Sequence, residues 1–234
     1  GGVCFFLRDK EYTGSCEFIS YADMDKPSKS IRKLNEFDVF VRYDKAIPII
    51  EKVKAKTAEP FSSRVAPYCP FGLRSFARGT KERAEGKVEL YTSKGSFFID
   101  RNLIKSNDDL IDCKKILLSS LTAEHANEPA IDGRYKVLST MRVIQPGTAC
   151  TDTYLIIGPF QSDEEANNCL EFLKTKFARF MIHLRISSIH LTETSFAFVP
   201  WMDFSRSWTD PELYEHFSLD DSEIQFIEKL IREY

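Results

Sequence analysis

Residues 162–185 read SDEEANNCLEFLKTKFARFMIHLR, and this stretch decides the fold class. Ser162 and Glu165 form an S-x-x-E capping box, which is a signature of a helix N-terminus. The apolar residues that follow recur every three or four positions, which is the spacing of one helical face. They are Ala166, Cys169, Leu170, Leu173, Phe177, Phe180, Met181 and Leu184. The pattern predicts one long amphipathic helix of ~24 residues and ~35 Å that buries this face.

Short β-prone runs surround this helix in the sequence. They lie at residues 3–7, 17–21, 88–91, 97–100, 115–120, 135–141 and 154–157. Turn residues at 13–15 and 93–95 predict that the first two runs and the next two runs form hairpins. Asp44 is expected to cap a helix that ends near residue 56, and Asp220 with Glu223 predicts a last helix. The order favours an α+β fold: a mixed or antiparallel sheet core with an N-terminal β-hairpin, one long amphipathic helix and a C-terminal helical tail.

Composition places the chain among soluble globular proteins. Its 234 residues are 43% hydrophobic and 29% charged, and no uncharged apolar stretch approaches the ~20 residues of a membrane helix. The six cysteines include no C-x-x-C pair and the four histidines lie near no cysteine pair, so a zinc site is not supported. This cysteine usage fits a reducing, cytoplasmic compartment. Because the sequence opens with Gly1 and not with Met, we expect a fragment of a larger chain.

Charge is distributed unevenly along the chain. Residues 61–115 carry 11 Lys/Arg and 7 Asp/Glu, a net charge of +4, whereas residues 201–234 carry 3 and 9, a net charge of −6. Residues 60–87 combine basic and aromatic side chains, and their prolines and Gly72 exclude one long helix or central strand. Such a segment is typical of a surface loop that binds phosphates. A solvated loop whose aromatic side chains pack into the core is the alternative, and the sequence leaves both open.

These basic residues are the candidate DNA contacts. Arginine and lysine bind phosphate, and an arginine can also read guanine through two hydrogen bonds. The first set, with two serine hydroxyls as phosphate donors, is Ser62, Ser63, Arg64, Arg74, Arg78, Lys81 and Arg83. A second set on the polar side of the long helix is Lys174, Lys176 and Arg179. Cations in the C-terminal half of a helix also suit its dipole, so the second set has a structural explanation as well.

Recognised catalytic motifs are absent. The chain contains no G-x-G-x-x-G, G-x-x-x-x-G-K-[ST], G-x-S-x-G or H-E-x-x-H. The tripeptide Glu-Gly-Lys at 85–87, with Asp44 upstream, fits the E-x-K pattern of metal-dependent nucleases, although such a tripeptide often arises by chance. His125 lies near Glu124 and Glu128, where a solvated loop is the simpler interpretation. The sequence assigns no catalytic residue and no metal ligand to this chain.

Ordered sequence blocks carry a family resemblance. They are GGVCFFL at 1–7, Tyr12-Thr-Gly, Cys16-Glu, Ser62-Ser63-Arg64, Pro70-Phe-Gly-Leu, Lys115-Ile-Leu-Leu-Ser, Leu138-Ser-Thr-Met-Arg-Val, Thr151-Asp-x-Tyr, Phe172-Leu-Lys-Thr-Lys-Phe-Ala-Arg-Phe, Phe198-Val-Pro-x-x-Asp-Phe and Trp208-Thr-Asp-x-Glu-Leu-Tyr. In this order they resemble the region after the catalytic core of bacterial adenine-specific DNA methyltransferases. These enzymes belong to restriction–modification systems, including the type II kind in which methylase and nuclease are fused.

The resemblance implies that catalysis lies outside this chain. The family carries an Asn/Asp-Pro-Pro-Tyr/Phe motif and a glycine-containing cofactor motif, and this chain contains no Pro-Pro. Residues 1–57 would continue from the methylase core, 58–200 would form the DNA target-recognition domain, and 201–234 would be an acidic helical tail packed on it. S-adenosylmethionine would bind upstream, and Mg²⁺ would be needed only by a fused nuclease domain. This chain itself would hold no cofactor.

The resemblance also implies partners. The parent enzyme would flip an adenine out of the duplex and methylate its exocyclic amine, while this chain selects the site. Phe5 or Phe6 would face the flipped base, with burial in the hairpin core as the alternative. The partners would be double-stranded DNA and the upstream domains, in the cytoplasm and without a membrane. Two other functions stay open: a Mg²⁺-dependent endonuclease using Glu85 and Lys87, and a protein-docking module whose acidic tail binds a partner domain.

Overall fold

The computed structural model describes residues 4–21, 27–124 and 128–234 and confirms the α+β class. Within those residues, the strands are β1 Cys16–Ser20, β2 Ser28–Arg32, β3 Lys87–Thr92, β4 Gly95–Asp100, β5 Lys114–Ser119, β6 Met141–Ile144, β7 Thr148–Cys150 and β8 Tyr154–Phe160. The α-helices are α1 Ala46–Lys56, α2 Asp163–Lys174, α3 Lys176–His183, α4 Asp210–His216 and α5 Asp221–Leu230. None of these helices is long and apolar enough to cross a membrane.

The sheet β6-β5-β8 forms the middle layer of the molecule, and both of its strand pairs are antiparallel. The four successive residues of β5 from Lys115 to Leu118 are all buried. Because side chains alternate between the two faces of a strand, Ile116 and Leu118 join one hydrophobic cluster while Leu117 joins another. This central sheet is therefore covered on both faces, which produces three layers.

Helices cover one face of the central sheet. Phe61, in a 3₁₀ turn between α1 and β3, is fully buried there, and its ring centroid lies 6.2 Å from that of Phe172 and 5.7 Å from that of Phe196. This larger cluster contains residues from Val41 to Ile231. All three of the segments predicted from the sequence contribute to it, at 1–57, 58–200 and 201–234.

A second sheet, of order β4-β3-β7, covers the other face of the central sheet. β3 and β4 form the predicted antiparallel hairpin, and β7 runs parallel to β3. Leu90 and Ile99 of this sheet meet Leu117 of β5 in the smaller cluster. Phe71 and Leu73, from the irregular segment before β3, belong to the same cluster. That segment is therefore held against the second sheet.

The predicted long helix is divided at Thr175, whose backbone is extended with ψ at 151°. The Thr175 hydroxyl caps α3 by accepting a hydrogen bond from the Ala178 amide at 3.1 Å. Asp210 reaches the same break, and its carboxylate accepts hydrogen bonds from the amides of Lys176 and Phe177 at 2.9 and 2.8 Å. Because Asp210 lies far along the chain, the local apolar pattern could not indicate the division.

The N-terminal hairpin is present, but it pairs β1 with β2. Residues 4–7, the described part of the predicted first strand, form no strand. Phe5 and Phe6 are 91% and 85% exposed, so the alternative that one of them is buried in the hairpin core is wrong. Both rings remain accessible.

Arg32 and Asp44 hold β2 in place. The Arg32 guanidinium donates to the Val41 carbonyl at 2.8 Å and pairs with Asp44 at 3.3 Å. Asp44 also accepts hydrogen bonds from the hydroxyls of Ser28 and Ser30 at 3.0 and 2.8 Å. Asp44 therefore anchors the hairpin. The sequence suggested that Asp44 caps α1, and this prediction is wrong. These charge-assisted bonds favour 28–32 over the apolar run at 4–7 as the partner of β1.

His183 of α3 is 2% exposed within the larger cluster. Its Nε2 lies 3.2 Å from the Tyr43 hydroxyl oxygen, and its ring centroid lies 4.1 Å from that of Tyr135. Burial lowers the pKa of His183 to about 3, and the charge of Arg42 acts in the same direction. Histidine in an unfolded chain has a pKa of ~6.5. Between these values the unfolded state binds a proton that the folded state does not.

We predict that His183 makes stability rise with pH across this window, because the unfolded state binds more protons there. From about pH 7 to about pH 5 the residue should lower the free energy of unfolding by ~2 kcal/mol. Urea unfolding of His183→Gln at both pH values should show a correspondingly smaller loss of unfolding free energy at the lower pH. The exposed His190 provides the control, since His190→Gln should retain the wild-type loss. Identical pH profiles for wild type and H183Q would contradict this role.

Asp210→Ala should destabilise the junction between α2 and α3, because two amides of α3 lose their acceptor. We expect the free energy of unfolding to fall by ~1–3 kcal/mol in urea titrations. Glu215→Ala removes an exposed carboxylate from the same short helix and should change the stability by less than ~0.5 kcal/mol. Equal losses in the two variants would show that Asp210 does not cap α3.

Candidate nucleic-acid interface

The basic loop, residues 74–87, connects the buried Leu73 to the first residue of β3. It carries five Lys/Arg against Glu82 and Glu85, a net charge of +3. Its exposed cations are Arg74, Arg78, Lys81 and Arg83, all of which belong to the first predicted set. These four residues lie on one continuous surface segment, and their role as DNA contacts stays a prediction.

Both ends of the basic loop are fixed to the body of the protein. On its N-terminal side the Leu73 carbonyl accepts a hydrogen bond from the Asp152 amide at 3.0 Å. At its C-terminal end the loop continues into β3, and midway along it Thr80 exchanges two backbone hydrogen bonds with Phe98 of β4, at 2.9 and 2.8 Å. Gly79 permits this second attachment, because a Cβ atom there would lie 2.2 Å from the Phe98 carbonyl oxygen. The cations thus extend from a fixed backbone.

Arg74 belongs to a polar cluster at the base of the loop. Its guanidinium lies 3.5 Å from a carboxylate oxygen of Asp152 and donates to the Tyr68 hydroxyl at 3.2 Å. Tyr68 donates to the same carboxylate at 3.1 Å, and this hydrogen bond raises the pKa of Tyr68. The Asp152 side chain is 10% exposed whereas that of Arg74 is 55% exposed. The cluster therefore orients the guanidinium and leaves more than half of the side chain accessible.

The other exposed cations of the loop have no acidic partner among the described residues. Arg78 donates to two carbonyls of its own turn, both at 2.7 Å. The Lys81 ammonium lies 4.0 Å from the centroid of the Phe97 ring. Across residues 4–21, 27–124 and 128–234, neither these two nor Arg83 forms an ion pair with a carboxylate. Their charges can therefore attract an external anion.

Ser62, Ser63 and Arg64 lie apart from the basic loop. Ser63 donates to Glu59 at 2.7 Å and Arg64 pairs with the same carboxylate at 2.9 Å. Val65, which follows Arg64, forms a β-bridge with Ile157 in the middle of β8. Leu73, immediately before the basic loop, is hydrogen-bonded to Asp152 in the turn before β8. The strand rise places these points on the order of 15–20 Å apart. The first predicted set therefore divides into two groups.

The second predicted set is used within the fold. Arg179 is fully buried, and its guanidinium donates to four backbone carbonyls around the helix junction. Its prediction as a DNA contact is corrected for this reason. Lys176 is 12% exposed and pairs with two glutamates of the C-terminal segment. Lys174 pairs with Glu171 on the preceding turn. These residues also lie on the helical side of the central sheet, away from the basic loop.

Two of the residues suggested for nuclease chemistry, Asp44 and Lys87, have partners within the fold. The Asp44 carboxylate binds the hairpin, and Lys87 donates to a threonine hydroxyl at 3.3 Å. In the part of the chain that the structure describes, no group of three or more His, Cys, Asp and Glu could hold a metal ion. His125 lies outside the described residues. Its neighbour Glu124 accepts hydrogen bonds from two backbone amides, which is a structural role.

Two residues of this surface were not among the site residues predicted from the sequence. Asp152 orients Arg74 although it lies 84 positions from Tyr68, the third member of the cluster. Its only sequence signal was the Thr151-Asp-x-Tyr block. Phe76 is 78% exposed, whereas its residue type suggested a core position. Its location midway between two arginines was the signal that distinguished it.

Comparisons of the chain with protein families, with curated proteins and with solved structures gave no significant match. The charge and geometry of the basic loop, together with the sequence blocks, therefore provide the basis for a function.

Gly79→Ala should detach the basic loop from β4, because the added methyl group overlaps backbone atoms of Phe98. We expect a loss of ~1–3 kcal/mol in unfolding free energy. Hydrogen exchange at the amides of Thr80 and Phe98 should accelerate, whereas exchange in α2 should not. Ser75→Ala alters an exposed residue of the same loop and should leave these rates unchanged. Slow exchange at both amides in the Gly79 variant would show that the attachment tolerates a side chain.

Proposed function

We propose that this chain recognises double-stranded DNA sequence-specifically, as the C-terminal specificity region of a restriction–modification N6-adenine methyltransferase. The observation that carries the proposal is the basic loop, whose exposed cations extend from a backbone attached at both ends. A duplex presents one negative charge per ~1.7 Å of its axis, so a loop of net charge +3 would meet several phosphates at once. An arginine that reaches the major groove would read guanine.

Upstream domains would perform catalysis under this proposal. They would bind S-adenosylmethionine and methylate a flipped adenine, and a fused nuclease domain would supply any Mg²⁺-dependent cleavage. Phe5 and Phe6 are exposed and would be available to the flipped base or to those domains. The sequence blocks support this assignment. A cytoplasmic location follows from the proposal, because the DNA substrate lies there in bacteria.

The acidic C-terminal segment gives little support to the docking alternative. Glu223 of α5 pairs with Lys52 of α1 at 2.6 Å. Glu228 and Glu233 pair with the same lysine of α3, and Asp210 caps α3. These four of the nine carboxylates of residues 201–234 bind the chain itself, which leaves less negative charge for an external partner.

Arg74→Ala combined with Arg78→Ala should weaken binding to a random-sequence duplex. The plot of log affinity against log salt should become shallower by about two units, close to one unit for each lost phosphate contact. Fluorescence anisotropy titrations between about 50 and 200 mM salt measure both quantities. The expected change in slope distinguishes lost phosphate contacts from a general loss of stability.

The matched control is Arg134→Ala combined with Arg206→Ala, which removes the same charge from arginines paired with Asp132 and Glu212. We expect this variant to retain the wild-type slope. If the two double variants behave alike, the basic loop is not the interface. If the wild-type chain binds no duplex at any of these salt concentrations, DNA recognition by this chain is wrong.

A further inference from the structure

Phe76 occupies the apex of a tight turn in the basic loop. The Ala77 amide donates to the Arg74 carbonyl at 2.8 Å, which closes a four-residue turn with Phe76 in its third position. The side chain is 78% exposed. Burial of a phenylalanine side chain stabilises a protein, and the fold forgoes this gain at residue 76.

The apolar side chains of the surrounding segment point in opposite directions. Phe71 is fully buried and Leu73 is 8% exposed, both within the smaller cluster. Phe76 follows closely and points to solvent. Because the backbone is attached at Leu73 and again at Thr80, the outward direction of the ring is set by the turn. The exposed ring is therefore a product of the fold at this loop.

Two arginines flank the ring and brace the turn. Arg78 donates to the carbonyls of Ser75 and Ala77, both at 2.7 Å, so its guanidinium closes over the turn. Arg74, on the other side, is oriented by the carboxylate of Asp152. Ordering of these side chains before binding reduces the conformational entropy that a contact at this site would cost.

We infer that Phe76 is a wedge that inserts between adjacent base pairs of bound duplex DNA while Arg74 and Arg78 contact phosphates on either side. The inference rests on the proposed function and adds a deformation step to it. An inserted apolar side chain partly unstacks a base step and kinks the duplex by ~20–90°. The energy required for unstacking is smaller where a mismatch has already weakened the step. Exposed aromatic side chains elsewhere, such as Tyr12, are not part of the basic loop.

The test titrates the full chain with two duplexes that differ only in one central mismatch. Wild type should bind the mismatched duplex about tenfold more tightly, because less unstacking is required. Phe76→Ala should bind both duplexes equally and retain the wild-type salt slope, because its cations remain. Phe76→Trp should keep the preference, since an indole ring also stacks on bases. Tyr12→Ala removes a 63% exposed aromatic side chain elsewhere and should keep it too.

A 2-aminopurine base beside the mismatch reports unstacking through its emission. The emission should rise on binding of wild type and Phe76→Trp, and it should stay constant with Phe76→Ala. Equal wild-type affinity for the two duplexes, or a mismatch preference that survives in Phe76→Ala, overturns the wedge and leaves DNA recognition standing. Failure of wild type to bind either duplex overturns DNA recognition and the wedge together.

Discussion

Burial of both faces of the central sheet is the constraint on which the rest of the structure depends. β5 directs Ile116 and Leu118 toward the helices and Leu117 toward the second sheet. A strand that is apolar on both faces requires a covering layer on each side. The segment before β3 supplies part of one layer by placing Phe71 and Leu73 over the sheet. The basic loop begins where this covering ends, so its position follows from the packing of the core.

The fold divides the charged residues into two groups. Arg179 and Arg32 are enclosed and donate to backbone carbonyls, where they satisfy groups that would otherwise be buried without a partner. Several carboxylates of the C-terminal segment likewise pair with lysines of α1 and α3. The formal net charge of −3 therefore misrepresents the surface that a polyanion would meet. The basic loop presents a local excess of exposed cations to such a ligand.

Attachment of the loop at both ends links the proposed function to the inferred wedge. A flexible basic arm would lose conformational entropy each time it bound, whereas this loop is ordered by Leu73 and Thr80 before any ligand arrives. A ring that separates stacked bases also needs a backbone that resists displacement. The close approach of Gly79 to β4 supplies that resistance, because no side chain separates the two backbones.

Local sequence was enough to predict the α+β class, the helix start at Ser162, the β3–β4 hairpin and the composition of the basic loop, since each depends on local periodicity or turn residues. The tertiary structure alone decided the break at Thr175, because the carboxylate that stabilises it comes from Asp210. It also decided which arginines remain accessible. Arg78 and Arg179 each stand among basic and aromatic residues, yet one is exposed on a turn and the other is enclosed by carbonyls. The environment of a charged side chain is created by residues distant along the chain, and local sequence does not contain that information.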